Sequence, residues 1–217
     1  MAAKEKKALT ANFPLYGSVR HFIRILDRVP YELFRNTRNA IREHGRDRQR
    51  AADWVDPDAW IPACLTGPHR ALAYRLWQES EHGINPRFLL GLWNLCARHG
   101  LLRRDLRGIM TITDDGQAFM EDAECETVAT IDAREGILDL LRILSQTGRA
   151  GFESILPAFT DYCLAQDDSL SAAAIKELLV TRLKNLTERG YLFHSAQEFA
   201  LSKAGARYLQ SHRRLLP

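Results

Sequence analysis

The chain has 217 residues, 46% of them hydrophobic and 26% charged, with a formal net charge of +3. That balance fits a soluble globular chain of one large or two small domains, and it excludes a largely disordered, collagen-like or polytopic membrane protein. No run of about 18 apolar residues could span a bilayer. The start, MAAKEKKALTANF, is charged and lacks the apolar core of a secretory signal, so a cytoplasmic location is expected, with no membrane partner.

Four cysteines stand at 64, 96, 125 and 163 without a C-x-x-C pair, so reduced thiols are expected, and neither a metal site nor a cofactor. The positive charge is uneven: residues 1–50 carry a net +7, 51–120 a net −1 and 121–217 a net −3. Of 30 basic residues, 24 are Arg. Arg makes planar bidentate contacts with phosphates and guanine edges, although a G- and C-rich genome gives the same bias without function.

In chain order, residues 18–28 place Val19, Phe22, Ile23 and Leu26 on one helix face. Pro30 ends that helix, because the residue before proline avoids the α region. Residues 31–44 predict a second helix stopping at Gly45, with Arg35, Arg38 and Arg42 on one side and Arg46, Arg48 and Arg50 following. From Asp53 to Pro68 the mixture of Asp, Pro and Trp reads as an irregular connection. Helices are expected near 69–81 and 86–99. The acidic run 121–126 breaks the pattern, and helices resume near 134–146, 152–166 and 169–190.

Two stretches, 94–120 and 185–209, repeat each other. Each opens with Asn-Leu (Asn94-Leu95, Asn185-Leu186) and reaches a helix-stopping glycine (Gly100, Gly190). A short apolar run and a polar turn follow, then an alternating strand and a hydroxyl-x-x-glycine step (Thr113 to Gly116, Ser202 to Gly205). The hydroxyl suits the N-cap of a closing helix. Helices followed by a hairpin and a helix is the order of a winged helix. The expected fold is therefore mainly α with small β-hairpins, as tandem winged helix-turn-helix domains at 67–121 and 133–217. An extra basic helical segment, 1–66, is expected to pack on the first, and 122–132 to form an acidic linker.

Residues 85–120 resemble the N-terminal winged-helix region of Mrr-type, modification-dependent restriction endonucleases. The residues carrying the resemblance are Gly100-Leu101-Leu102, Arg107-Gly108 and Ile112-Thr113-Asp114-Asp115-Gly116. The match is partial over 176–209, where the hairpin has no Arg-Gly. The resemblance implies a module that reads double-stranded DNA ahead of a nuclease domain or subunit, in systems that attack modified bases. The chain departs from the family in having no strand-borne Asp followed by Asp/Glu-x-Lys. It is thus expected to be no enzyme: either a fragment or a stand-alone reader. The alternatives are a transcriptional regulator of the same fold, and a winged helix used for protein contact or homodimerisation.

The candidate DNA-binding residues fall in four groups. Arg87, Asn94 and Arg98 share a helix stripe with Gly91, where Arg and Asn could read base edges. Arg103, Arg104 and Arg107 lie on the hairpin, suited to phosphates or a minor groove. Arg35, Arg38 and Arg42 form a positive run that could follow the backbone. Arg182 and Lys184, with Arg189, could contribute from the second long helix, although Glu177 and Glu188 there would repel phosphate. Trp54, Trp60, Trp77 and Trp93 read as core, with a cage for a methylated base as the other reading. No catalytic triad, phosphate loop or paired carboxylates stand out.

Overall fold

The computed structural model describes residues 9–46 and 54–216. It is mainly helical with two small antiparallel sheets, and no described helix is long and apolar enough to cross a membrane. The chain divides into two compact units. One, the central unit, is Gly17–Glu121; the other, the split unit, joins Met1–Tyr16 to Asp122–Pro217. The expected cut at 66/67 falls inside the central unit, and the expected N-terminal segment is shared between the two.

The central unit begins with α1 (Tyr16–Leu26), whose first residue belongs to the split unit. Val19, Phe22, Ile23 and Leu26 are all buried, as their spacing requires. Pro30 ends the helix and forms an isolated antiparallel bridge with Ile109. α2 (Tyr31–Arg46) follows and runs past Gly45. The expected irregular connection contains a helix, α3 (Pro57–Cys64). Asp56 caps it by accepting from the Asp58 N–H, and Pro57 occupies the first turn, where no N–H is needed. α4 is Gly67–Gln78. Ile41 of α2, Trp60 and Ile61 of α3, Leu65 just after it and Ala73 of α4 form one buried cluster. A 3₁₀ turn (Pro86–Phe88) leads into α5 (Leu89–Arg98), then come β1 (Leu102–Arg104), β2 (Met110–Ile112) and α6 (Asp114–Glu121).

In the split unit, the expected acidic linker is largely helix. α7 (Glu126–Arg134) buries Val128, Ala129, Ile131 and Asp132, so it is core. Then follow α8 (Ile137–Thr147), β3 (Ala150–Gly151), α9 (Phe152–Gln166), α10 (Ala172–Glu188), β4 (Leu192–Ser195), β5 (Glu198–Leu201) and α11 (Lys203–Ser211). β5 is the middle strand of a sheet ordered β3-β5-β4.

The repeat is real in atomic detail, and its register is set by glycine. Gly100 (φ +62°) and Gly190 (φ +72°) end α5 and the α10 turn. The next N–H returns five residues, Leu101 to the Cys96 carbonyl and Tyr191 to that of Leu186, both at 2.9 Å. This pairs Cys96 with Leu186, one residue away from the Asn-Leu match. Asn94 is accordingly exposed, while Asn185 is buried and donates to the Pro14 carbonyl. Thr113 Oγ1 donates to the Gly100 carbonyl and accepts from the Gly116 N–H; Ser202 Oγ does the same between Gly190 and Gly205.

The closing glycines are forced by close approach. A Cβ on Gly116 would stand 2.1 Å from the Leu101 carbonyl oxygen, and one on Gly205 2.3 Å from that of Tyr191. Gly116→Ala and Gly205→Ala should each destabilise by about 3 kcal/mol or more, since backbone must move. Gly190→Ala meets no atom within 4 Å and should cost only about 1–2 kcal/mol of left-handed strain. Denaturant unfolding of the three variants tests this ranking; equal losses would contradict it.

Candidate nucleic-acid interface

In the central unit, the 3₁₀ turn, α5 and the β1–β2 hairpin carry five exposed arginines on consecutive elements: Arg87, Arg98, Arg103, Arg104 and Arg107. The hairpin pairs Leu102 with Ile112, Arg103 with Thr111 and Arg104 with Met110. Its buried positions are Leu102 and Met110; Arg103 faces away from them beside Thr111, Arg104 lies on their face opposite Met110, and both arginines are exposed. Arg103 Nε reaches Thr111 Oγ1 at 3.4 Å, and the Arg104 guanidinium lies 5.4 Å from the centre of the Tyr31 ring.

The acidic residue of the hairpin tip is occupied by the turn. Asp105 Oδ1 accepts the N–H of Arg107 at 2.9 Å and of Ile109 at 2.8 Å. The tip is also held from outside the hairpin, because the Tyr31 N–H donates to the Gly108 carbonyl at 2.9 Å. Arg28 N–H donates to the Met110 carbonyl, and Met110 N–H to that of Val29. Residues 28–31, between α1 and α2, thus support the hairpin through main-chain hydrogen bonds.

On α5, Asn94 and Arg98 are exposed on one side, and Leu89, Leu92, Leu95 and Cys96 are buried on the other. Gly91 does not belong to the exposed stripe. It is buried, so it offers no route for the backbone to approach a ligand. Phe88 and Leu90 are exposed instead, at 66% and 54%. Arg87 precedes the helix, in the 3₁₀ turn, with its guanidinium 5.2 Å from the Trp54 ring centre and 5.5 Å from that of Phe88. A guanidinium at these distances is attracted by the electron-rich ring faces.

The run on α2 is less free. Arg35 pairs with Glu32 one turn earlier, and Arg38 stacks 5.9 Å from the Phe34 ring centre, while Arg42 is exposed. The Arg46 side chain, Arg48 and Arg50 lie outside the described residues. The tryptophans do not form a cage. Trp60 is fully buried and Trp54 packs on it at 5.0 Å; Trp93 packs on Tyr31 and Phe34; Trp77 donates to Asp58. Burial pushes the thiols of Cys96 and Cys163 up, that of Cys163 to about 11, so neither is poised as a thiolate.

The split unit requires the main correction. Arg182 and Arg189 are not surface cations. Arg182 is fully buried, bonded to the Glu135 carboxylate at 3.1 Å and to the main-chain carbonyls of Glu135, Leu178 and Thr10. Arg189 forms a two-pronged bridge to Asp132, Nη1 to Oδ1 at 3.0 Å and Nη2 to Oδ2 at 2.8 Å. The rings of Tyr16, Tyr191 and Tyr208 surround it at 4.5–5.2 Å. The buried acids Asp132 and Glu135 claim both guanidinium groups, so neither can meet a phosphate. Lys184 remains exposed on α10, beside Glu177 and Glu188.

The sequence reading missed Asp132, Glu135, Tyr16, Tyr208 and Thr10 entirely. Their signal is the helical spacing of Val128, Ile131, Asp132 and Glu135, which the acidic run before it masks.

No known protein family, curated protein or solved structure matches the chain.

The buried tyrosines give a pH signature. Burial and the Asp132 carboxylate raise the pKa of Tyr16 and Tyr208; burial and the Glu124 hydrogen bond raise that of Tyr191, against Arg189. The folded state therefore keeps protons that the unfolded chain releases near the ordinary tyrosine pKa of about 10. Stability from these groups is complete below that pH and falls as pH rises above it. Absorbance near 295 nm should show these tyrosines ionising only together with loss of helical circular dichroism. Full ionisation of all six tyrosines in folded protein would contradict this.

Proposed function

We propose that the central unit binds double-stranded DNA as a winged helix, with α5 facing the major groove and the β1–β2 hairpin lying along the backbone beside it. The split unit has the same final order of long helix, hairpin and helix, and we propose the same fold for it with a different use. The observation that carries the proposal is the set of exposed arginines spread over α5, the turn before it and the hairpin. The nearest hairpin acid, Asp105, is committed to two main-chain N–H groups. Phosphate contacts supply most non-specific affinity, and base edges supply preference.

Asn94 and Arg98 are the proposed base readers, with Arg87 at the helix start. Arg103, Arg104 and Arg107 are the proposed phosphate contacts, supported by Arg42 on α2. A place in a modification-dependent restriction system rests on the resemblance of residues 85–120 alone, and duplex binding does not depend on it. The exposed Phe88 and Leu90 favour a second reading, in which α5 docks another protein; binding that is insensitive to salt would mark it.

Alanine at both Arg103 and Arg104 should weaken binding to every duplex about equally and lower the salt slope by about one unit per lost phosphate contact. Asn94→Ala should cost about 1–3 kcal/mol on a preferred duplex and less on a scrambled one. Arg182→Ala should instead unfold the split unit and leave the slope of the surviving fold unchanged. Salt titrations of affinity with each variant separate these outcomes. Incubation with plain and methylated plasmid in Mg²⁺ or Mn²⁺ should give binding without cleavage, and protein-dependent cutting that persists through purification would overturn the non-enzymatic part of the proposal.

A further inference from the structure

Leu106 stands at the tip of the β1–β2 hairpin with its side chain wholly in solvent, at 108% relative exposure. Single exposed leucines are common on protein surfaces, so exposure alone says little. Three further features set this one apart. First, its turn is fixed on both sides: Asp105 Oδ1 holds the N–H groups of Arg107 and Ile109, and Gly108, at φ +79°, donates to the Asp105 carbonyl at 3.0 Å. Second, the turn is tied to the start of α2 through Tyr31 N–H and the Gly108 carbonyl. Third, Arg103, Arg104 and Arg107 surround the tip in sequence, and all are exposed.

A rigid mount keeps the apolar side chain projecting before any partner arrives, so little ordering remains to oppose binding. Arginines on both sides match the phosphates that line a groove. An aliphatic side chain between such contacts can enter a base step from the minor groove, unstack it and kink the duplex by roughly 20–90°.

We propose that Leu106 is an apolar wedge that enters the minor groove of B-form DNA and bends it, while Arg103, Arg104 and Arg107 hold the flanking phosphates. The proposal rests on duplex binding by the central unit. It adds that this chain deforms the DNA it binds. Leu106 covers no neighbour, so its replacement leaves the fold intact, and an unchanged melting temperature checks this.

The experiment is ligase-mediated ring closure of linear fragments shorter than the DNA persistence length of about 150 bp, which rarely close unaided. Full-length protein, Leu106→Ser, Leu106→Phe and an Arg103→Ala/Arg104→Ala double variant are compared at low salt, with affinity for the same fragment measured in parallel. Wild type should raise closure about tenfold or more, corresponding to relief of part of the bending energy. Leu106→Ser should keep most of the affinity and the salt slope but lose the closure enhancement, and Leu106→Phe should retain it. The double arginine variant should lose affinity. If wild type binds but closure does not rise, or Leu106→Ser closes rings as well as wild type, the wedge is wrong and duplex binding stands. If wild type binds no duplex, both are wrong. If wild type binds no duplex and self-associates in a manner that Leu106→Ser abolishes, the tip is a protein contact instead.

Discussion

The split unit depends on one carboxylate. Asp132 has no exposure to water, and its two oxygens accept four hydrogen bonds, from Tyr16, Tyr208 and both terminal nitrogens of Arg189. A buried charge left unpaired is very costly, whereas a fully bonded one gains little over an apolar pair of the same shape. What such a cluster provides is a single acceptable arrangement. Residue 16 must meet residue 132, and both must meet α11 and the end of α10. Glu135 repeats the arrangement nearby: it accepts from the N–H and hydroxyl of Thr10 at 2.8 Å each and pairs with Arg182. Phe13 lies 4.7 Å beneath the Arg182 guanidinium, and Asn185 fixes the Pro14 carbonyl. Residues 10–16 are thus stitched to α7 and α10 by polar contacts made inside the unit.

The two units show how one residue type serves opposite ends within a shared hairpin framework. Both have the glycine stop, the returning N–H, the capping hydroxyl and the glycine under a carbonyl. In the central unit, Arg98, Arg103, Arg104 and Arg107 around this framework are exposed, and Asp105 is committed to two main-chain N–H groups. In the split unit, the arginines of α10 and its end turn inward, because Asp132 and Glu135 are there to receive them. The proposed division of labour follows from where carboxylates lie, since arginine count alone does not distinguish an interface from a core network.

Much of the fold was legible because it rests on short-range rules. The periodicity of α1 and α8, the glycine stops and the Thr113 and Ser202 caps are local, and local chemistry fixes them. α3 was legible in principle, since Asp56-Pro57 is an N-cap followed by a first-turn proline. It was obscured by the tryptophans and prolines read as a loop. α7 was hidden for a different reason: Asp132 and Glu135 count as polar in any pattern, yet their partners lie 116 and 125 residues away. Arg182 failed in the same way. Its charge suggested a surface, and only the distant Thr10 and Glu135 make its burial possible. Among the candidate interface residues, Asn94, Arg98 and the hairpin arginines could be placed from helix and strand spacing, whereas Gly91 could not, because it lies one turn from the buried Leu95 at the edge of the buried side.

The split of one unit around the other has a consequence for synthesis. A ribosome delivers Thr10, Phe13 and Tyr16 first, but Asp132 and Glu135 more than a hundred residues later, and Arg182, Arg189 and Tyr208 later still. The central unit, Gly17–Glu121, is contiguous and can close on the ribosome as soon as it emerges. The strap of residues 10–16 must wait, with its aromatic side chains uncovered, for the last fifth of the chain. Closing so long a loop is slow relative to local folding. The nascent protein therefore passes through a stage in which one unit is finished and the other exists only as its first sixteen residues, Met1–Tyr16.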